Sequence, residues 1–102
     1  MKLLQLPDSI RYRTMTTEEL RGAFLLESLF VPDAIGLAYV DLDRTVIGSA
    51  VPSTRPLTLP CPEELRAEFF LERRELGVLN IGGSGSVEVE GQSYPLDKLD
   101  AL

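Results

Sequence analysis

The longest uninterrupted run of charged side chains is Glu72-Arg73-Arg74-Glu75. A guanidinium binds a carboxylate through two parallel hydrogen bonds, so Arg73 and Arg74 are candidates for holding an acidic substrate. The same run could instead form ion pairs across strands or across a subunit interface. In a strand, alternation would place the two arginines on opposite faces, so at most one would face a barrel interior. The candidate substrate-binding residues are therefore Arg73, Arg74 and Glu75.

The chain contains no histidine, and Cys61 is its single cysteine. A catalytic zinc site typically uses two or three histidine ligands, and zinc without histidine needs several cysteines or carboxylates. We therefore expect no metal ligand in this chain and assign no catalytic residue. A histidine general base is excluded, so any chemistry of the chain alone must use carboxylates, Lys, Tyr or Arg.

Two further groups of residues admit a chemical interpretation and a structural one. Gly82, Gly83 and Gly85 suggest a phosphate-binding loop, but the Lys-Ser/Thr pair and the following helix of such loops are missing. A hairpin turn is the alternative that we favour for them. Asp41 and Asp43 could act as paired carboxylates, but they are also typical residues of a turn between two strands.

Composition limits the partners of the protein. The chain has 102 residues, and its 10 basic and 16 acidic residues give a net charge of -6. This charge repels phosphate backbones and anionic lipid, so we expect no nucleic-acid partner and no membrane partner. No signal peptide is visible, and no apolar run approaches the roughly 20 residues of a membrane span. With a single thiol, the sequence predicts a soluble cytoplasmic protein.

The first half predicts one short helix followed by strands. Thr16 and Glu19 have the spacing of a capping box, which predicts a helix that starts there and runs to about Leu26. Pro32 ends helical structure. Residues 36–41 and 44–51 are rich in β-forming residues and flank a short turn, so they predict a hairpin.

The second half predicts further strands. Residues 57–59 are a short edge strand between prolines, and residues 62–65 suit one helical turn. Residues 69–81 are predicted to form a long strand, and residues 86–90 and 92–96 a hairpin that turns at Glu90-Gly91. Such closely spaced hairpins favour a mostly antiparallel β protein, either a sandwich or a barrel.

The apolar run Leu99-Asp100-Ala101-Leu102 reads as the start of another strand. A strand at that position would leave an unpaired sheet edge, which predicts that the chain is incomplete. The alternative is that Ala101 and Leu102 pack against the core.

Glu75 and Gly82 have the spacing of the first conserved cupin motif, in which a glycine follows the glutamate after six residues. The motif places two histidines before the glutamate, and residues 68–71 hold Glu, Phe, Phe and Leu instead. The hairpin and the following Gly91-Gln-Ser-Tyr94 add to the resemblance. It implies a jelly-roll half-barrel without a metal site, in which Glu75 pairs with an arginine or accepts a hydrogen bond.

A longer string is more specific. Residues 69–85, Phe-Phe-Leu-Glu-Arg-Arg-Glu-Leu-Gly-Val-Leu-Asn-Ile-Gly-Gly-Ser-Gly, resemble the 5-keto-4-deoxyuronate isomerases, also called 4-deoxy-L-threo-5-hexosulose-uronate ketol-isomerases. Upstream, residues 20–27, 30–33 and 43–48 keep the order and spacing of that family. The resemblance extends over nearly all of the chain from Thr16 onward.

The resemblance implies a two-cupin, usually hexameric isomerase of pectin and uronate breakdown. Such an enzyme interconverts 5-dehydro-4-deoxy-D-glucuronate and 3-deoxy-D-glycero-2,5-hexodiulosonate. Its zinc is held by three histidines and one glutamate of a C-terminal cupin, and this chain has none of those positions. Residues 1–102 would then be a single partial domain, the metal-free N-terminal cupin, and inactive by itself.

Two alternatives stay open. The chain could be a non-catalytic β domain that acts in binding or in oligomer assembly. It could also derive from the related 5-deoxyglucuronate isomerase of inositol breakdown, although the string Phe70-Leu-Glu-Arg-Arg-Glu75 favours the pectin-pathway enzyme.

Overall fold

A central strand, β2 (Ile35–Val40), organises the first part of the computed structural model, which describes all 102 residues. It pairs in parallel with β1 (Lys2–Leu4) and antiparallel with β3 (Thr45–Ala50). Ala38 and Val40 on β2 are only 2% and 7% exposed. Burial is therefore concentrated on the strand that has a partner on each side. The pairing of the N-terminal residues with β2 was not predicted from the sequence.

The turn between β2 and β3 confirms the predicted hairpin, with each strand boundary displaced by about one residue. A single 3-10 turn, Leu42–Arg44, joins the strands. Asp43 and Arg44 both take positive φ values, 51° and 54°. On β3, Gly48 lies opposite Leu37, and a Cβ at Gly48 would come within 2.7 Å of the Gly36 carbonyl oxygen. Glycine thus permits the close approach of the two strands.

The helix α1 spans Thr17–Phe24 and starts as predicted. The Glu19 backbone N–H donates to Thr16 Oγ1 at 3.2 Å, and the Thr16 N–H donates to Glu19 Oε2 at 2.7 Å. The bond from the Thr16 N–H, with help from the Arg11 guanidinium, lowers the pKa of Glu19. The helix ends at Phe24, two residues before the predicted end at Leu26. A 3-10 turn, Arg11–Thr14, precedes it.

Residues 51–68 contain no strand, so the predicted short strand at residues 57–59 is wrong. Prolines at positions 52, 56, 60 and 62 remove the backbone donors that a strand pairing would need. The predicted helical turn is confirmed as a 3-10 turn, Glu63–Leu65, that follows directly after Pro62.

The chain divides into two compact units, Met1–Glu68 and Phe69–Leu102. The second contains the hairpin of β4 (Gly85–Val89) and β5 (Gln92–Leu96), in which Val87 lies opposite Tyr94. Glu90 and Gly91 connect the strands with φ values of 52° and 79°. Two successive positive φ values suit the right-handed twist of a tight hairpin, and they confirm the predicted turn.

The predicted long strand over residues 69–81 is wrong. The segment forms a turn, in which the Glu72 N–H donates to the Phe69 carbonyl at 3.2 Å, and then irregular structure. Only Leu79 lies in a β-bridge, with Ala101 as its antiparallel partner. A β-rich composition does not form a strand where no neighbouring segment completes its backbone hydrogen bonds.

The fold class is confirmed as mostly sheet, largely antiparallel, with one helix. Both sheets, the three-stranded one and the two-stranded one, are open. The cupin jelly roll stays a prediction. The only α-helix has 8 residues, far fewer than the roughly 20 that a membrane-spanning helix needs.

Asp33 joins two loops of the first unit. It has a φ of 56°, and its Oδ1 accepts the backbone N–H groups of Ser53 and Thr54 at 2.9 and 2.8 Å. Its Oδ2 accepts the Thr54 hydroxyl at 2.8 Å. These donors, the Thr54 N–H above all, lower the pKa of Asp33 below its ordinary value of 3.8.

We predict that Asp33 contributes stability fully above pH 3.8 and loses that contribution as the pH falls through the lower folded pKa. Asp33→Asn keeps a residue that tolerates positive φ but removes the charge and one acceptor. Urea unfolding at pH 7 should show a lower midpoint for this variant, and the difference should shrink towards pH 2. An equal difference at both pH values would contradict the assignment. Asp43→Asn, also at positive φ, is the control.

Candidate functional site

Arg73 lies outside any strand, so the expected alternation of Arg73 and Arg74 between two faces does not apply. Arg73 Nη2 donates to Glu72 Oε1 at 3.3 Å, and the Arg73 side chain is 70% exposed. The guanidinium carries five N–H donors, and this bond uses one of them. The remaining donors are accessible from solvent, which is what binding of a carboxylate ligand requires.

Arg74 has a different environment. Its guanidinium carbon lies 5.9 Å from the centroid of the Phe70 ring, within the range of a cation–π contact. Phe70 is buried, and Arg74 is half-buried. The two arginines are therefore not equivalent, because Arg74 packs within its own unit whereas Arg73 extends into solvent.

Glu75 is exposed and forms no hydrogen bond or ion pair. Gly82, its partner in the cupin spacing, lies in the bend before β4. No group of three or more His, Cys, Asp or Glu side chains in the chain could hold a metal ion. The residues of this chain therefore do not fit the zinc that the family resemblance implies.

Two concave surfaces lie in the first unit. One has a volume of about 290 Å³ and is mainly apolar, with Leu26, Leu29, Val31, Ile35 and Leu37 in its wall. The other, of about 330 Å³, contains Arg21 and Glu27, which form an ion pair. Neither surface includes any of the candidate residues Arg73, Arg74 and Glu75. The structure thus places none of the three candidates in either concave surface.

Asn80 is a residue whose role the sequence did not reveal. Its Nδ2 lies 2.9, 3.0 and 3.1 Å from the carbonyl oxygens of Gly83, Leu96 and Asp97, so one of its two N–H groups is shared between two acceptors. Its Oδ1 accepts the Gly82 N–H at 3.0 Å. An asparagine side chain often accepts the backbone N–H two residues later and so closes a turn. The spacing of Asn80 before Gly82-Gly83 could therefore have predicted this role.

Asn80 also joins the hairpin to the end of the chain. Its backbone N–H donates to the Asp100 carbonyl at 2.9 Å, and its carbonyl accepts the Leu99 N–H at 2.6 Å. The backbone and the side chain of one residue thus connect three segments of the second unit.

We predict that Asn80→Ala lowers the free energy of unfolding by roughly 1–3 kcal/mol, because several carbonyl groups and one N–H lose their partner. Hydrogen exchange should accelerate at the amides of Val78 and Leu102, which bond to each other across the adjacent bridge. Ser84→Ala removes a single exposed hydroxyl bond to Asp97 and serves as the control. Unchanged exchange in Asn80→Ala would contradict the role assigned to this side chain.

Comparison with known proteins gives one consistent result. No family model matches the chain. The chain is 52% identical over 86 residues to the 4-deoxy-L-threo-5-hexosulose-uronate ketol-isomerase of Formosa agariphila, which covers 84% of this chain. It is 51% identical over 87 residues, 85% of the chain, to the protein of the same name from Halalkalibacterium halodurans. The match to the Opitutus terrae protein of that name is 45% over 103 residues and includes the whole chain.

These matches confirm the resemblance to the ketol-isomerases that the sequence predicted. The matched segments are 31%, 32% and 38% of the three relatives. The chain therefore spans about a third of the length of the curated relatives it matches. The comparisons assign no role to Arg73, Arg74 or Glu75, which stay predictions.

Proposed function

We propose that this chain is the N-terminal part of a ketol-isomerase of pectin and uronate catabolism. The enzyme would interconvert 5-dehydro-4-deoxy-D-glucuronate and 3-deoxy-D-glycero-2,5-hexodiulosonate. The supporting observation is the 45–52% identity to ketol-isomerases over most or all of the chain. Both compounds are carboxylates, and the acidic chain must bind them through a local positive group against its net charge of -6.

In this proposal the zinc would be bound by the part of the enzyme outside residues 1–102. The family resemblance places three histidines and one glutamate in a C-terminal cupin, and the present chain has no residues that fit them. We assign no catalytic step to residues 1–102. Their role would be to form the first cupin, to support the catalytic half in a homo-oligomer such as a hexamer, and to contribute to substrate binding. A cytoplasmic location would suit the single thiol.

Arg73 is the residue of this chain that we propose for binding the substrate carboxylate. Its guanidinium is exposed and bonded only to the neighbouring Glu72. Arg74 is a weaker candidate because its guanidinium packs on Phe70. A carboxylate that binds Arg73 would replace the Glu72 bond with two parallel charge-assisted bonds.

Measurements of isomerase activity and of zinc content test the proposed function. We would compare the 102-residue chain with a fusion of this chain to the unmatched part of the Opitutus terrae relative. The fusion should isomerise the uronate with bound zinc, whereas the chain alone should do neither. Isomerisation by the chain alone would contradict the proposal, and so would a folded, zinc-loaded fusion without activity.

In the active fusion, Arg73→Ala should raise KM by roughly 10- to 100-fold with little change in kcat, because uniform binding of the carboxylate is lost. Arg73→Lys should restore part of the affinity for the substrate, since lysine keeps the positive charge but cannot form the two parallel hydrogen bonds of a guanidinium. Arg13→Ala, an exposed arginine in the first unit, is the matched control. If the KM of Arg73→Ala is within twofold of the KM of the unsubstituted enzyme, Arg73 does not bind the substrate carboxylate.

A second candidate function is a non-catalytic β domain that acts in binding or assembly. The observation that favours it is the small interior of the chain, in which only four hydrophobic residues are buried. Large apolar side chains are exposed in both units, which is typical of surfaces that contact another polypeptide. An inactive fusion that still assembles would select this candidate.

A further inference from the structure

The guanidinium of Arg73 is less firmly held than that of Arg11, the other arginine bonded to a glutamate at a comparable distance. Arg11 Nη2 donates to Glu19 Oε1 at 3.1 Å, and Arg11 Nη1 also donates to Thr14 Oγ1 at 3.3 Å. Arg73 has the single bond of 3.3 Å to Glu72. The Arg73 side chain is 70% exposed, whereas that of Arg11 is 50% exposed. An incoming ligand therefore has fewer bonds to displace at Arg73.

The local backbone places Glu72 beside Arg73. The Glu72 N–H donates to the Phe69 carbonyl at 3.2 Å, which closes a turn directly before Arg73. The Glu72 side chain is only 28% exposed. Because the two residues are neighbours in the chain, the carboxylate stays within reach of the guanidinium without any movement of the backbone. Glu72 is thus a tethered carboxylate with a high effective concentration at Arg73.

A tethered carboxylate of this kind lowers the apparent affinity of Arg73 for a ligand without preventing binding. An ion pair between exposed side chains typically shifts an equilibrium by no more than about fivefold. A ligand carboxylate that forms two parallel bonds with the guanidinium gains more than the single bond to Glu72. The ligand therefore opens the pair, and its apparent affinity is reduced by the fraction of molecules in which the pair is formed.

We propose that Glu72 competes with the substrate carboxylate for the guanidinium of Arg73 and thereby raises the KM of the enzyme. This inference rests on the proposed function, in which Arg73 binds that carboxylate. Glu72 does not touch the substrate and acts only through Arg73. An anion that forms a single bond, such as chloride, has no advantage over Glu72, so the pair also favours carboxylates over simple anions.

The first test is Glu72→Gln in the active fusion, which keeps the shape of the side chain and removes its charge. KM should fall by about two- to fivefold with kcat unchanged, because the competing carboxylate is lost. A damaged fold does not produce such a gain of affinity. Glu88→Gln removes the same charge from an exposed position of β4 and should leave KM unchanged. An equal decrease of KM in this control would attribute the effect to net charge and overturn the inference.

A double-mutant cycle separates competition for Arg73 from direct repulsion between Glu72 and the substrate. In the Arg73→Ala background, Glu72→Gln should no longer lower KM, because the contested guanidinium is gone. An equal decrease of KM with and without Arg73 would overturn the inference in favour of repulsion. An unchanged or raised KM in Glu72→Gln alone would overturn it as well.

Calorimetric titration of the folded fusion with D-glucuronate tests the inference without isomerase activity. The Kd should fall by about two- to fivefold in Glu72→Gln. An equal Kd, or the absence of binding, would overturn the inference. An active fusion in which Arg73→Ala raises KM and Glu72→Gln leaves it unchanged would refute the competition alone. An inactive, zinc-loaded fusion that binds D-glucuronate more tightly in Glu72→Gln would refute the isomerase function alone.

Discussion

Strand formation in this protein depends on the supply of backbone partners. Each strand residue carries one donor and one acceptor that must be paired when it leaves water. The segment Ile35–Val40 has neighbours on both sides and contains two of the four buried hydrophobic residues. The β-rich segment before Val78 has no such neighbour and stays irregular. The same constraint leaves the backbone of Leu79 without a hydrogen-bond partner on its outer side.

Few hydrophobic residues are buried, and hydrogen bonds from polar side chains connect the segments of each unit. Two residues, Asp33 and Asn80, each collect several backbone groups from segments that are distant in sequence. Both are turn residues whose short side chains hydrogen-bond to backbone groups. Local structure in both units therefore relies on a few hydrogen-bonding side chains. Large apolar side chains stay exposed in both units.

The sequence predicted those features that depend on neighbouring residues. Thr16 and Glu19 define a helix start by themselves, and Glu90-Gly91 defines a tight turn. Two features were not predicted correctly, the irregular segment before Val78 and the pairing of the N-terminal residues with β2. Both depend on which segments become neighbours, and the spacing of residues in the sequence does not reveal this. The candidate site shows the same division. The run of charges identified Arg73 and Arg74, but only the position of Phe70 distinguishes the packed arginine from the exposed one.

The proposed ketol-isomerase function, with every catalytic residue outside residues 1–102, is tested most directly by isomerase assays on the fusion with the unmatched part of the Opitutus terrae relative and on the 102-residue chain, with zinc measured on the same samples. The fusion is expected to bind zinc and isomerise the uronate, and the 102-residue chain to do neither. Isomerisation by the 102-residue chain alone, or a folded, zinc-loaded fusion without activity, would contradict the proposal.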